Sequence, residues 1–307
     1  GGAIAPFVLG QLSLALGWRQ AFWVLGAIGV LWCWAFHAWF RNTPEKKLGC
    51  NAAERALIGS APARRAYQEG QASSASEPTG RLGQPPWRVL VRSLSIWALC
   101  VASAGVSFGW YFYPTWQPEY LQNVFHINYQ GSEIVTGLPF LCGALGCLVG
   151  GGLSDWLMRR TGSRCRSRRL MGMVGFGGAG ICVLLTGFAS AAWQAVALLC
   201  LAFLINDLAI PAIWATSADI GGRYAGTVAG IMNMAGAAGG VVSPILIPLA
   251  LMALPESYDV AVRWRTIFIG LAISWFVAAL AWLFIDADRQ LFPMLPPLAQ
   301  DVPEAQR

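Results

Sequence analysis

The sequence predicts an all-α polytopic membrane protein of about eight transmembrane helices, and three observations carry that prediction. Hydrophobic residues make up 56% of the chain and charged residues 12%, against roughly 45–50% and about 25% in soluble domains, so hydrocarbon is the solvent for most of this surface. The apolar residues gather in runs long enough to cross roughly 30 Å of acyl chain at about 1.5 Å per helical residue. Those runs far exceed the roughly ten alternating residues of a barrel strand, and an isolated strand would leave its amides unpaired in lipid.

The chain opens on Gly1-Gly2 inside an apolar run that reaches Leu16, with neither an initiator Met nor a signal-peptide pattern, and reads as a fragment. Gly17-Trp18-Arg19 interrupts, and a second span runs from Ala21 to Phe40 with Trp23, Trp32, Trp34 and Trp39 as interfacial anchors. Between Arg41 and Arg92 the composition turns to Arg, Lys, Glu, Gln, Ser, Pro and Gly, which cannot bury a core and reads as an aqueous linker. Within it Asn51-x-x-Glu54 can cap a short helix, whereas Ala61 to Pro86 is expected to stay disordered. Further spans are expected at 94–116, 133–153, 170–189, 193–217, 225–251 and 266–285, with a tail over 288–307.

The net charge of +6 is explained by topology. Nine basic residues from Arg41 to Arg92 and six from Arg159 to Arg169 fall in two loops on one side, joined by Arg223, Arg289 and Arg307. Only Arg19, Arg263 and Arg265 fall on the other, so the positive-inside rule makes the linker, the tail and the start of the chain cytoplasmic and removes the nucleic-acid reading. Six of the eight cysteines sit in apolar runs without C-x-x-C spacing, and His37 and His126 are the only histidines, so no disulfide framework, metal centre or cofactor is expected.

The stretch from Asn206 to Pro244 joins two apolar spans through a short charged hinge. In the second span Gly226, Gly230, Asn233, Ala237 and Gly240 recur at three- and four-residue spacing, a small-residue stripe with one amide in it; it serves either helix packing or substrate. Asp219-Ile220-x-x-Arg223-Tyr224-Ala225, followed by Gly230-x-x-Asn233 and Gly239-Gly240-x-x-Ser243-Pro244, resembles the anion:cation symporter branch of the major facilitator superfamily. That resemblance implies cation-coupled transport of small organic anions such as sugar acids by alternating access, in a bacterial plasma membrane, by a monomer, with a proton or sodium as coupling ion.

An internal repeat fits the same architecture. Gly1-Gly2-Ala3-Ile4-Ala5-Pro6 matches Gly239-Gly240-Val241-Val242-Ser243-Pro244, and Trp18-Arg19-x-x-Phe22 matches Trp264-Arg265-x-x-Phe268, as expected of a parallel repeat. Residues 1–40 would then be the fifth and sixth helices of the fold, 41–92 the cytoplasmic loop between halves, 93–287 the six helices of the C-terminal half, and 288–307 the tail.

Candidate functional residues follow span by span. Ser107, Trp110 and Tyr111 precede Pro114 in a span whose glycine and proline predict a bend in its outer half; Phe112, Tyr113 and Trp116 read as an interfacial belt. Trp214, Thr216 and Asn233, with Gln11 of the first span, complete the expected substrate-binding set, and Asn233, Tyr111, Trp214 and Thr216 are expected to line one central cavity. Asp207 is the one acidic residue near the middle of a span, which makes it the candidate for ion coupling; its alternative is a hydrogen bond between helices. Gly151-Gly152-Leu153-Ser154-Asp155-x-x-x-Arg159-Arg160 resembles the superfamily's signature loop, which implies gating by Asp155 with Arg159 and Arg160, alongside Asp219 and Arg223 at the hinge; Arg166, Arg168 and Arg169 are assigned to topology. Two other classes compete. A polytopic acyltransferase would need a His, Ser or Asp cluster that His37 and His126, on opposite sides, do not supply, and a non-transporting scaffold left by truncation predicts the same sequence.

Overall fold

The computed structural model describes residues 4–41, 49, 51, 52, 54, 85–127 and 129–292. Among them there is no strand, and the helices are α1 (Ile4–Leu16), α2 (Trp18–Trp39), α3 (Trp87–Arg92), α4 (Leu94–Trp110), α5 (Phe112–Thr115), α6 (Gln117–Phe125), α7 (Tyr129–Thr161), α8 (Arg164–Thr186), α9 (Ala192–Gly221), α10 (Ala225–Ala253) and α11 (Val260–Ala281). Six stretches are long and apolar enough to cross a bilayer: Trp18–Trp39, Leu94–Thr115, Val135–Thr161, Arg164–Thr186, Ala192–Ala253 and Val260–Phe284. The fifth is 62 residues long and holds both α9 and α10. Seven helices therefore have membrane length among the described residues, and the expected eighth, α1, has 13 residues.

The chain divides into two compact units, one of Gly1–Gln11 with Pro86–Phe292 and one of Leu12–Pro85 with Pro293–Arg307. In the second, α2 buries only Ala21 and leaves Trp23, Trp32, Trp34 and Trp39 exposed. The reciprocal cap expected from Asn51-x-x-Glu54 is present: Glu54 N donates to Asn51 Oδ1 at 2.8 Å and Asn51 N to Glu54 Oε2 at 3.2 Å. Most of the linker, including Ala61 to Gln84, lies outside the described residues, as does the tail from Pro293.

In the first unit α9, α8, α11, α4 and α10 form a closed ring of neighbours, and α7 lies against α9. Glycine seams bring the helices together. Any Cβ on Gly146 or Gly150 of α7 would overlap the carbonyls of Leu204 or Leu208 in α9, and one on Gly239 of α10 would overlap that of Ala104 in α4. Gly105 meets α11 in the same way, its Cβ position 2.6 Å from Ser274 O. Such backbone-to-backbone packing replaces the hydrophobic drive that lipid cannot provide.

The expected bend occurs. Pro114 has no N–H for the carbonyl of Trp110, so α4 stops there, Tyr111 forms a turn and α5 begins. The turn carries Phe112 and Tyr113 into the core at 1% exposure each, where Phe112 meets Phe268 at 5.3 Å and Tyr113 meets Phe203 at 4.7 Å. These two residues are therefore core rather than an interfacial belt.

Beyond α11, residues 285–292 cross the basic end of the bundle as a strap. Asp286 N donates to Ser95 Oγ, Arg169 Nε to Ile285 O at 2.7 Å, and Leu291 N to Ile220 O at 3.0 Å. Asp288 accepts from Ser163 Oγ at 3.0 Å and Cys165 N at 3.2 Å, which satisfies one of the orphan amides at the start of α8. Arg223 N donates to Phe292 O, and the Phe292 ring meets Tyr224 edge-on at 5.0 Å. The compact unit thus extends through Phe292, beyond the expected tail boundary at 288.

Candidate functional site

The centre of the first unit is polar. Asp207 lies at the midpoint of the 30-residue α9, and its Oδ1 accepts a hydrogen bond from Asn206 Nδ2 at 2.8 Å. Asn206 Oδ1 in turn accepts from Trp275 Nε1 of α11 at 3.0 Å, and the Trp275 ring fills the space over Gly109 of α4. The other Asp207 oxygen sits against α7, where a Cβ on Gly143 would stand 2.5 Å from it. Asn206 and Trp275 are buried while Asp207 is half-buried, so one end of the relay is sealed and the carboxylate end is accessible. No Lys or Arg occurs in α4, α9 or α10. Trp275 was invisible to sequence reasoning because nothing in the spacing of α11 marks an indole N–H that reaches a different helix.

Trp110 stands beside this relay, edge-on to Phe140 at 5.8 Å and to Tyr111 at 5.3 Å, with Phe203 at 6.3 Å. Ser107 is half-buried opposite Gly236, and Tyr111, 40% exposed, lays its ring on Gly240. Ser107, Trp110, Tyr111 and Asp207 therefore form one tier. Trp214 and Asn233 are both exposed and lie nearer the basic end, by helical rise about 12 Å from Asn206 and about 9 Å from the Gly239–Ala104 contact respectively. Gly226 and Gly230 have open space where a Cβ would stand. The stripe shared by these glycines, Asn233 and Ala237 thus packs on no helix of this unit, whereas Gly236, Gly239 and Gly240 make the α4 contact.

Thr216 departs from the expectation. It is fully buried and donates to Ala212 O at 2.7 Å in its own helix, so it points into the packing rather than to the open face. Gln11 is exposed on α1. Of the four residues expected to line one cavity, Tyr111 thus lies in one tier, Trp214 and Asn233 are exposed nearer the basic end, and Thr216 is buried.

At the basic end the ion pair is not where the loop spacing put it. Asp155, Arg159 and Arg160 are exposed, Arg160 lies over the Trp156 ring at 4.9 Å, and Asp155 has no ion-pair partner among the described residues. Its neighbour Ser154 is buried instead and accepts from Arg168 at 2.6 Å. Arg168, 8% exposed, also pairs with Asp219 at 3.5 Å, and Arg164 approaches the same carboxylate at 3.9 Å. One guanidinium thus ties α7, α8 and α9 together, so Arg168 is a structural clamp and not merely a topology signal. Arg223 is exposed and stacks over Tyr224 at 5.1 Å. Cys165, Asp286 and Asp288 bring three potential metal-ligand atoms within 4.8 Å of one another, but Asp288 is already engaged in capping α8 and Asp286 accepts from Asp288 N.

Membrane-length helices seamed by glycine, with one carboxylate, Asp207, at mid-bundle and the other charges at the helix ends, define a multi-pass integral membrane protein. Residues 1–244 match the Major Facilitator Superfamily, and the chain belongs to that family. Among its relatives, a probable sulfoacetate transporter of Cupriavidus necator is 33% identical over 93% of this chain and 62% of its own length. A probable L-galactonate transporter of Escherichia coli is 25% identical over 76% of this chain and 49% of its own, and vesicular glutamate transporter 1 of Bos taurus 28% over 80% and 43%. The chain therefore spans about half the length of the curated relatives it matches, and those relatives are transporters rather than enzymes.

Proposed function

We propose that this chain is part of a secondary active transporter that carries small organic anions, sugar acids or comparable carboxylates and sulfonates, with a proton as the coupling cation. The observation that carries the reading is Asp207, a half-buried carboxylate at the midpoint of α9, with no basic side chain anywhere in α4, α9 or α10. An anion about 8 Å from an ionised Asp207 would be repelled by about 2 kcal/mol at an effective dielectric near 20. A proton on Asp207 removes that repulsion, so proton and anion bind better together than apart, which is the thermodynamic content of symport. Coupling is needed because each negative charge entering a cell at 100 mV, inside negative, costs about 2.3 kcal/mol.

The relatives named for sulfoacetate, galactonate and glutamate support the anionic substrate class. Trp110, Tyr111, Ser107, Trp214 and Asn233 would contribute stacking and neutral hydrogen bonds, with Gln11 on α1 as a further candidate. Asp219, Arg223 and Asp155 with Arg159 and Arg160 would change partners as the transporter alternates, and the basic end would face the cytoplasm of a bacterial cell.

The test is uptake of labelled sulfoacetate, galactonate and glutamate by the full-length protein in proteoliposomes, with and without an imposed pH gradient. Wild type should accumulate at least one of the three when the gradient is present. Asp207→Asn should keep substrate exchange yet lose the acceleration by the gradient. Gradient-driven uptake that survives Asp207→Asn would move coupling elsewhere, and failure to take up any of the three anions would overturn the substrate class.

A further inference from the structure

A groove of about 340 Å³ opens on the surface of the bundle, between Leu94, Trp97, Ala98 and Val101 of α4 and Leu280 of α11, with Phe284 just beyond that helix. It runs from the first residue of α4 inward for about 10 Å along the helix axis, so it occupies the depth of the upper acyl chain in one leaflet. Its lining is apolar, and the Trp97 wall is fixed because the indole Nε1 donates to Val91 O at 2.7 Å. That bond also ties α3 to the mouth of the groove.

The six-residue α3 reads Trp87-Arg88-Val89-Leu90-Val91-Arg92. Leu90 is buried at 1% exposure, while Trp87 is exposed, as suits a short helix at the membrane interface. Arg88 and Arg92 lie four apart on one face, both exposed, and no ion-pair partner is present for either among the described residues. Arg92 stands two residues before Leu94, at the groove mouth. In the strap, the Asp286 carboxylate accepts Asp288 N at 3.1 Å, while its own N–H reaches Ser95.

We propose that this groove is a binding site for an anionic phospholipid, with its phosphate and headgroup on Arg88 and Arg92 and one acyl chain between α4 and α11. The charge selects the occupant: a zwitterionic lipid fills the apolar slot equally well but gains less from two arginines, each worth roughly a fivefold preference near a membrane surface. The site touches neither Asp207 nor the open face, so it stands apart from the transport reading. It would fix the α3–α4 junction and the Ser95 contact of the strap.

The experiment uses the full-length protein in nanodiscs doped with diazirine-tailed phosphatidylglycerol or, separately, diazirine-tailed phosphatidylcholine, with labelled peptides read by mass spectrometry. Wild type should show adducts on peptides containing 94–101 and 277–284, with phosphatidylglycerol favoured by at least about threefold. Arg88→Gln with Arg92→Gln, both at exposed positions, should abolish the headgroup preference while leaving groove adducts. Val101→Trp should reduce adducts at the groove with either lipid. Equal labelling of wild type by both lipids would reduce the groove to ordinary contact with bulk lipid and overturn the proposal. A preference that survives loss of both arginines, or groove labelling unchanged in Val101→Trp, would overturn it as well.

Discussion

Gly222→Ala tests whether the strap is held by the hinge it crosses. Gly222 has φ +48° and ψ −121°, a region closed to side-chain-bearing residues, and an added Cβ would collide with Phe292 O. The backbone strain is worth about 1–3 kcal/mol. Moving Phe292 aside also weakens the Arg223 N and Leu291 N hydrogen bonds, about 1 kcal/mol each, for a total of about 3–5 kcal/mol. At about 2–4 °C per kcal/mol for a unit of this size, the unfolding midpoint of the purified full-length protein should fall by on the order of 10 °C. The assay is thermal unfolding followed by thiol-reactive dye, with Gly230→Ala as the control, since open space surrounds that position and Ala favours helix. A shift for Gly222→Ala smaller than about 2 °C would refute the strap as a structural element.

Three further outcomes are expected. Trp275→Phe leaves the buried Asn206 oxygen without its donor and should destabilise the protein by about 1–3 kcal/mol, read as a lower thermal midpoint; an unchanged midpoint would mean the relay is not formed. Asn233→Ala should weaken uptake affinity while expression and insertion stay intact, because the side chain is exposed and packs on no helix of its unit; unchanged affinity would remove it from the substrate path. In a cysteine-accessibility scan of the full-length protein, Ala72→Cys should be labelled from the cytoplasm and Asn128→Cys from outside, and the reverse pattern would invert the orientation.

What could be read from the sequence was what local chemistry decides. Run length set the spans, Gly109 and Pro114 announced the break after Trp110, and Asn51 and Glu54 declared their cap. What escaped depended on the approach of distant segments. Spacing within the loop after α7 pointed to Asp155, yet three helix ends converge so that Arg168 selects Ser154 and Asp219. Thr216 and Trp214 are two residues apart on one helix, about 200° around its axis, so they cannot share a face, and the buried one satisfies its hydroxyl locally. Phe112 and Tyr113 looked like interface anchors because the direction of the chain after Tyr111 is set by the turn and not by composition.

The glycine seams also bear on how this unit can vary. At Gly146, Gly150 and Gly239 the facing atom is a carbonyl of the neighbouring backbone, which has no rotamer to change, so even a methyl group must push whole helices apart. At Gly151, Gly152, Gly226 and Gly230 nothing stands in the way. A saturation library selected only for folding should therefore be depleted along the first set and permissive along the second. Sequence drift is then channelled onto the open stripe of α10 and the glycines near Ser154, leaving the α7–α9 and α4–α10 contacts as a frozen frame.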